Sequence, residues 1–169
     1  AFGGDTTATI GFTEEWNADF AQGVWVTGGN MNTARQSLAG SGTKTSALAY
    51  GGGTSGKEDG TELYNGTTWG ELNNLNTARD NLAGVGADGT SALAFGGDAA
   101  PASTTDTESW NGTSWTEVNN LNDTSPNAGS LGIATAALNF GGGGTVNTEQ
   151  WNGSSWTEVN NLNTARDGN

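Results

Sequence analysis

One short phrase recurs four times along the chain, and it limits the fold more than any other feature. Ala1-Phe2-Gly3-Gly4, Ala49-Tyr50-Gly51-Gly52, Ala94-Phe95-Gly96-Gly97 and Asn139-Phe140-Gly141-Gly142 place a glycine pair every 45 to 48 residues. An acidic-aromatic hairpin phrase accompanies it: Thr61-Glu62-Leu63-Tyr64-Asn65-Gly66-Thr67-Thr68-Trp69, then Thr107-Glu108-Ser109-Trp110-Asn111-Gly112-Thr113-Ser114-Trp115, then Thr148-Glu149-Gln150-Trp151-Asn152-Gly153-Ser154-Ser155-Trp156. A fixed period of this size is the signature of a solenoid, a propeller or an array.

The repeat that starts at Arg79 predicts four short strands and no helix-length periodic segment. Asn81 to Ala87 reads as a strand of small residues. Asp88-Gly89 reads as a hairpin turn, since both positions tolerate a positive φ. Ser91 to Phe95 is the return strand, ended by Gly96-Gly97. A variable loop from Asp98 to Thr105 leads into a third strand, Thr107 to Trp110. Asn111 to Ser114 is a tight connection, Trp115 to Val118 a fourth strand, and Asn119 to Asn122 crosses to the next unit. Four antiparallel strands in about 45 residues is the size of one propeller blade.

The first strand of each unit is rich in glycine and alanine, as close backbone approach at a propeller axis requires. Leu48, Leu93 and Leu138 stand two residues before Tyr50, Phe95 and Phe140, so each pair shares a strand face. We expect these faces to form the core between blades. The paired aromatics, such as Trp110 and Trp115, recur in successive copies and read as packing. Their regular placement also separates the chain from a disordered tract, which would be aromatic-poor.

The charge and the missing residue types narrow the chemistry. A formal net charge of −13, with only five Lys and Arg residues, disfavours nucleic-acid binding and anionic membranes. There is no cysteine and no histidine, so no disulfide framework, thiolate metal site or histidine base is available. No apolar run approaches transmembrane length. The chain begins without methionine and within a repeat, which reads as an internal piece of something longer or a processed product.

Arginine, small-residue strand, turn, apolar strand ending in Gly-Gly, then an aromatic and a tryptophan five residues apart: this order resembles the kelch repeat. Arg79, Gly96-Gly97, Trp110 and Trp115 match its arginine, double glycine, aromatic and tryptophan, and Arg35, Gly51-Gly52, Tyr64 and Trp69 do so one repeat earlier. The resemblance implies an all-β, kelch-like (galactose-oxidase-like) β-propeller of four-stranded antiparallel blades. Residues 1–169 then form one propeller segment with units at about 1–34, 35–78, 79–122 and 123–169. The first unit diverges from Glu14 to Asn30, with Trp16, Trp25 and an additional Gly28-Gly29, and lacks an innermost strand. The fourth has Asp123-Thr124-Ser125-Pro126 where an arginine is expected, which predicts an irregular crossover. Kelch propellers close with about six or seven blades, so these blades are expected to belong to a larger ring. In style the chain resembles kelch-like arrays of marine viruses and bacteria.

The copper-radical chemistry of galactose oxidase needs histidine and a cysteine-linked tyrosine, which this segment cannot supply. Glu62 and Glu71, Glu108 and Glu117, and Glu149 and Glu158 repeat from unit to unit. They should therefore lie around a ring and not across a single cleft, as a glycosidase pair would. Asp88, Asp98 and Asp106 are the loop carboxylates available to calcium, but they do not form a calcium-loop pattern. Asn65, Asn111, Asn122 and Asn152 match the glycosylation acceptor pattern, three of them in the tight turn. Arg35, Arg79 and Arg166 each follow Asn-Thr-Ala and are expected to pair with a repeat carboxylate or bond backbone carbonyls.

No catalytic, cofactor or metal residue is assigned. The expected function is a non-enzymatic structural or binding module on a virion (tail fibre, spike or capsid appendage) or a cell surface. It would recognise a protein or glycan through the loops Gly53–Gly60, Asp98–Asp106 and Gly143–Asn147. A homo-oligomer or an assembly with other structural proteins is expected, without nucleic acid or membrane insertion. The alternatives are the scaffold part of a secreted galactose-oxidase-like enzyme whose active site lies elsewhere, and an intracellular kelch adaptor.

Overall fold

A computed structural model describes residues 2–4, 10–17 and 24–167, with side chains from Thr27 onward. The protein is all-β. Blade 1 contains β1 (Phe2–Gly4), β2 (Ile10–Asn17) and β3 (Val24–Thr27). Blade 2 contains β4 (Ala39–Thr43), β5 (Ser46–Tyr50), β6 (Thr61–Tyr64) and β7 (Trp69–Glu71). Blade 3 contains β8 (Ala83–Asp88), β9 (Ser91–Phe95), β10 (Thr107–Trp110) and β11 (Trp115–Glu117). Blade 4 contains β12 (Gly129–Ile133), β13 (Ala136–Phe140), β14 (Thr148–Trp151) and β15 (Trp156–Glu158). Each sheet runs in sequence order with antiparallel neighbours. In blade 1 the described strands number three, and Trp16 pairs with Trp25 in the register that Trp110 keeps with Trp115. The side chains of Trp16 and Trp25 lie outside the described residues.

In blades 2 to 4 the first strands are the inner ones, with β8 lying between β4 and β12. Their small residues make that approach possible: a Cβ on Gly84 would overlap the Tyr50 hydroxyl of the preceding blade. Gly96 and Gly97 end β9 with φ of 62° and 90°, a reversal that a side chain would strain.

The leucine-aromatic faces form the interblade layers. Leu48 and Tyr50 of blade 2 pack with Ala92, Ala94, Trp110 and Trp115 of blade 3. Leu93 and Phe95 of blade 3 pack in the same way with Ala137, Trp151 and Trp156 of blade 4. The second tryptophan of each hairpin also reaches back one blade. Trp115 Nε1 donates to Thr61 Oγ1 at 2.9 Å, and Trp156 Nε1 donates to Thr107 Oγ1 at 3.1 Å. The first tryptophan bonds within its own blade, Trp110 Nε1 to Gly89 O at 3.0 Å. On the far side of blade 4, no described sheet covers the corresponding face. Leu138 and Phe140 are half-buried there, and Leu131, Ile133 and Val159 are exposed.

The β8–β9 hairpin forms, with its turn one residue later than expected. Neither Asp88 nor Gly89 has a positive φ. The chain instead reverses over Gly89 and Thr90, after a register irregularity between Gly86 and Asp88. The Asp88 carboxylate accepts from Thr90 N at 2.8 Å and from Thr90 Oγ1 at 2.6 Å. This side-chain turn stands in for the left-handed backbone that Asp-Gly suggested. In the β10–β11 turn the glycine does adopt the left-handed form, with Gly112 at φ 92° and Asn111 Oδ1 accepting from Thr113 N and Ser114 N.

Tyr50 is fully buried, with its hydroxyl 3.4 Å from Leu93 O and 3.5 Å from Ser41 Oγ. Burial raises its pKa from 10.0 to about 12. The folded state therefore holds the phenol proton more tightly than the unfolded state does. The stability this gives is fully present below pH 10 and is lost as pH rises from 10 towards 12, by up to about 3 kcal/mol. Tyr50→Phe, which installs the residue of Phe95, is expected to remove that part of the alkaline loss. Urea midpoints measured near neutrality and at alkaline pH check it, and parallel alkaline slopes for the two proteins would refute it.

Candidate functional site

The variable loops converge because each is tied to the segment that enters the inner strand. In blade 2, Gln36 and Gly53 exchange backbone hydrogen bonds of 3.0 Å each. In blade 3, Asp80 and Asp98 do the same at 3.1 and 2.8 Å. In blade 4 the equivalent pair is Pro126 and Gly143. Proline has no N–H, so only the bond from Gly143 N to Pro126 O survives, at 2.8 Å. This is the extent of the irregularity that the missing arginine motif brings to the backbone here.

Next to these bridges, three non-glycine residues adopt the left-handed conformation: Ser37 at φ 54°, Asn81 at φ 53° and Asn127 at φ 58°. They connect the blades in series. Asn81 N donates to Ser37 O, and Asn127 N donates to Asn81 O, both at 2.9 Å. With Leu38, Leu82 and Ala128 they line a cleft of about 300 Å³ at the ends of the inner strands. Nothing in the repeat phrases marked this trio. The available signal was the Ser, Asn, Asn column just before each inner strand, since asparagine tolerates this backbone better than most residues.

Polar and charged side chains flank the cleft. Lys57 of the blade 2 loop pairs with Asp80 of blade 3 at 2.7 Å. Asn81 Nδ2 donates to Asp98 Oδ2 at 3.0 Å, and Ser103 Oγ donates to Asp98 Oδ1 at 2.6 Å. The Ser103 bond foremost, against a smaller cost of burial, holds the Asp98 carboxyl below its ordinary range, with Asn81 and Lys57 assisting. Asp98 is thus an ionised anchor for its own loop.

The calcium candidates are not brought together. Asp88 ends β8 beside the turn into β9 and Asp98 follows the other end of β9, while Asp106 Oδ1 accepts from Asn120 Nδ2 at 3.2 Å. Among the described residues, no group of three or more Asp or Glu side chains gathers. Asn65, Asn111 and Asn152 sit in exposed tight turns, and Asn122 lies in the crossover to blade 4.

The repeating carboxylates divide by position. Glu62, Glu108 and Glu149 are buried, whereas their cross-strand partners Glu71, Glu117 and Glu158 are exposed. Arg35 pairs with Glu62 at 2.7 Å and Arg79 with Glu108 at 3.0 Å, and each guanidinium also donates to two backbone carbonyls. Arg166 is exposed. Each pair ties the entry segment of a blade to that same blade's second and third strands, and none of these side chains lines the cleft. The copies agree in the scaffold and differ in the loops around the cleft, which makes the loop face the candidate site. Compared with known proteins, the chain matches no family model, and no curated protein matches it.

Proposed function

We propose that the chain is a non-enzymatic binding module, a kelch-like propeller segment carried on a virion or a cell surface, which recognises a protein or glycan through its loop face. The observation that carries this reading is the gathering of the three variable loops around the cleft at Ser37, Asn81 and Asn127. Each loop is tied by backbone to a buried scaffold, which is the arrangement that lets loop sequence vary without loss of fold. The net charge of −13 favours neutral or basic ligand groups over sulfated or sialylated ones.

The test replaces the loop tips at 54–57, 99–103 and 143–145 with short glycine-asparagine turns. Gly60, Asp106 and Asn147 are kept, because the first two supply carbonyls to the buried arginines. Binding to a glycan array and to surface-protein extracts is expected to fall at least tenfold, with the thermal midpoint nearly unchanged. Unchanged binding after replacement of all three tips would remove the loops from recognition.

A further inference from the structure

Blade 4 keeps the buried carboxylate of its sister blades but not their cation. Glu149 is 2% exposed, and Ser125 stands where blades 2 and 3 have Arg35 and Arg79. The donors to Glu149 are neutral: Asn122 N at 2.9 Å, Asn122 Nδ2 at 2.7 Å and Asp123 N at 3.1 Å. They do not replace the guanidinium, since Glu108 receives Asn76 N and Asn76 Nδ2, both at 2.8 Å, in addition to Arg79. Among the described residues, no cationic side chain forms an ion pair with Glu149.

A second change accompanies the first. Asn139 occupies the position of Ala49 and Ala94, directly across the strand pair from Glu149. It is 3% exposed; its Nδ2 donates to Ser125 Oγ at 2.9 Å, and its Oδ1 is buried with no hydrogen-bond partner. An orphan buried carbonyl oxygen beside an unneutralised buried carboxylate is costly for a protein interior. The backbone adds oxygens of the same kind. Arg79 Nη1 donates to Gly96 O at 3.4 Å and Asp106 O at 2.7 Å, and the corresponding carbonyls in blade 4 belong to Gly141 and Asn147.

We propose that blade 4 binds a hard monovalent cation, sodium or potassium, in the role its sister blades give to arginine. Glu149 and the Asn139 carbonyl are its side-chain ligands, with the Ser125 hydroxyl and the Gly141 and Asn147 carbonyls as further oxygen donors. An all-oxygen donor set selects hard cations over soft metals. One carboxylate balances one positive charge, as one glutamate balances one arginine in blades 2 and 3. The site is structural and lies at the base of the blade 4 loop, whose two ends meet where Gly141 N donates to Asn147 O at 2.8 Å.

The test is the thermal midpoint of the whole chain in choline chloride, with sodium or potassium chloride substituted at constant ionic strength. The wild-type midpoint is expected to rise saturably by a few degrees with either metal ion, which choline is too large to imitate. The double variant Ser125→Arg with Asn139→Ala, which copies blade 3, is expected to lose that dependence. Equal wild-type midpoints in the three salts, or a parallel rise in the double variant, would overturn the proposal. Should the double variant not fold, sodium-23 linewidths decide: excess broadening by the wild type that Asn139→Ala abolishes supports the site, and broadening equal in the two proteins overturns it.

Discussion

Arg79→Met is expected to destabilise the protein by about 3–5 kcal/mol, because it strands the Glu108 carboxylate in the interior without its cation. Both side chains are essentially inaccessible to water, and the pair closes at 3.0 Å. Burial pulls the guanidinium below its ordinary pKa, with Glu108 first among the groups that oppose the shift. The two carbonyls of Gly96 and Asp106 lose a donor at the same time. Methionine fills part of the arginine stem, so a loss of this size would report the charge and its hydrogen bonds more than lost volume. Adding Glu108→Gln should return part of the loss by removing the uncompensated charge. The return should be incomplete, since Glu108 also accepts two donors from Asn76 that shape the crossover. Urea unfolding followed by tryptophan fluorescence measures the series. If Arg79→Met costs less than about 1 kcal/mol, the pair belongs with weakly contributing ion pairs.

The same pair shows where sequence reasoning stops. Strand positions were legible because they rest on local signals: short apolar runs such as Ser91–Phe95, glycine pairs that reverse the chain, and Asn-Gly in the tight turn. The interblade faces were legible from the two-residue spacing of Leu93 and Phe95. The carboxylates were harder, because Glu108 and Glu117 are alike in composition and only their placement in the sheet decides which is buried. That Arg79 pairs with a repeat carboxylate and bonds backbone carbonyls was expected; that the carboxylate is Glu108, 29 residues away, depends on how the crossover packs, which a strand pattern does not encode. The loops were expected to carry recognition, yet the left-handed trio around which they gather was not foreseen. Its conformation is set by hydrogen bonds between blades, Asn81 to Ser37 and Asn127 to Asn81. The hairpin at Asp88-Gly89 was legible, but it turns one residue later, over Gly89 and Thr90, where the Asp88 carboxylate accepts from Thr90.

Trp115→Ala should cost about 3–5 kcal/mol, as large-to-small aromatic substitutions in a core do, and should also make unfolding less cooperative. The indole is 5% exposed and joins two blades. Its ring centroid is 4.9 Å from Tyr50 of blade 2 and 5.3 Å from Trp110 of its own blade. Its Nε1 bonds the fully buried Thr61 of blade 2, so truncation also deprives that hydroxyl of a partner. Blade 4 repeats the arrangement, with Trp156 at 4.7 Å from Phe95 and bonded to Thr107. In an array whose units contact only their neighbours, stability divides into unit terms and interface terms. Trp115 contributes mainly to an interface term, so its loss should lower the midpoint and flatten the urea slope together as blade 2 uncouples from blade 3. Trp115→Phe separates the two contributions, since it keeps a ring against Tyr50 but removes the N–H. It should cost about 1–3 kcal/mol through the unpaired Thr61 hydroxyl. A sharp transition with the wild-type slope in Trp115→Ala would show instead that the coupling is carried by the inner strands, where Asn81 bonds Ser37, and not by the tryptophan layer.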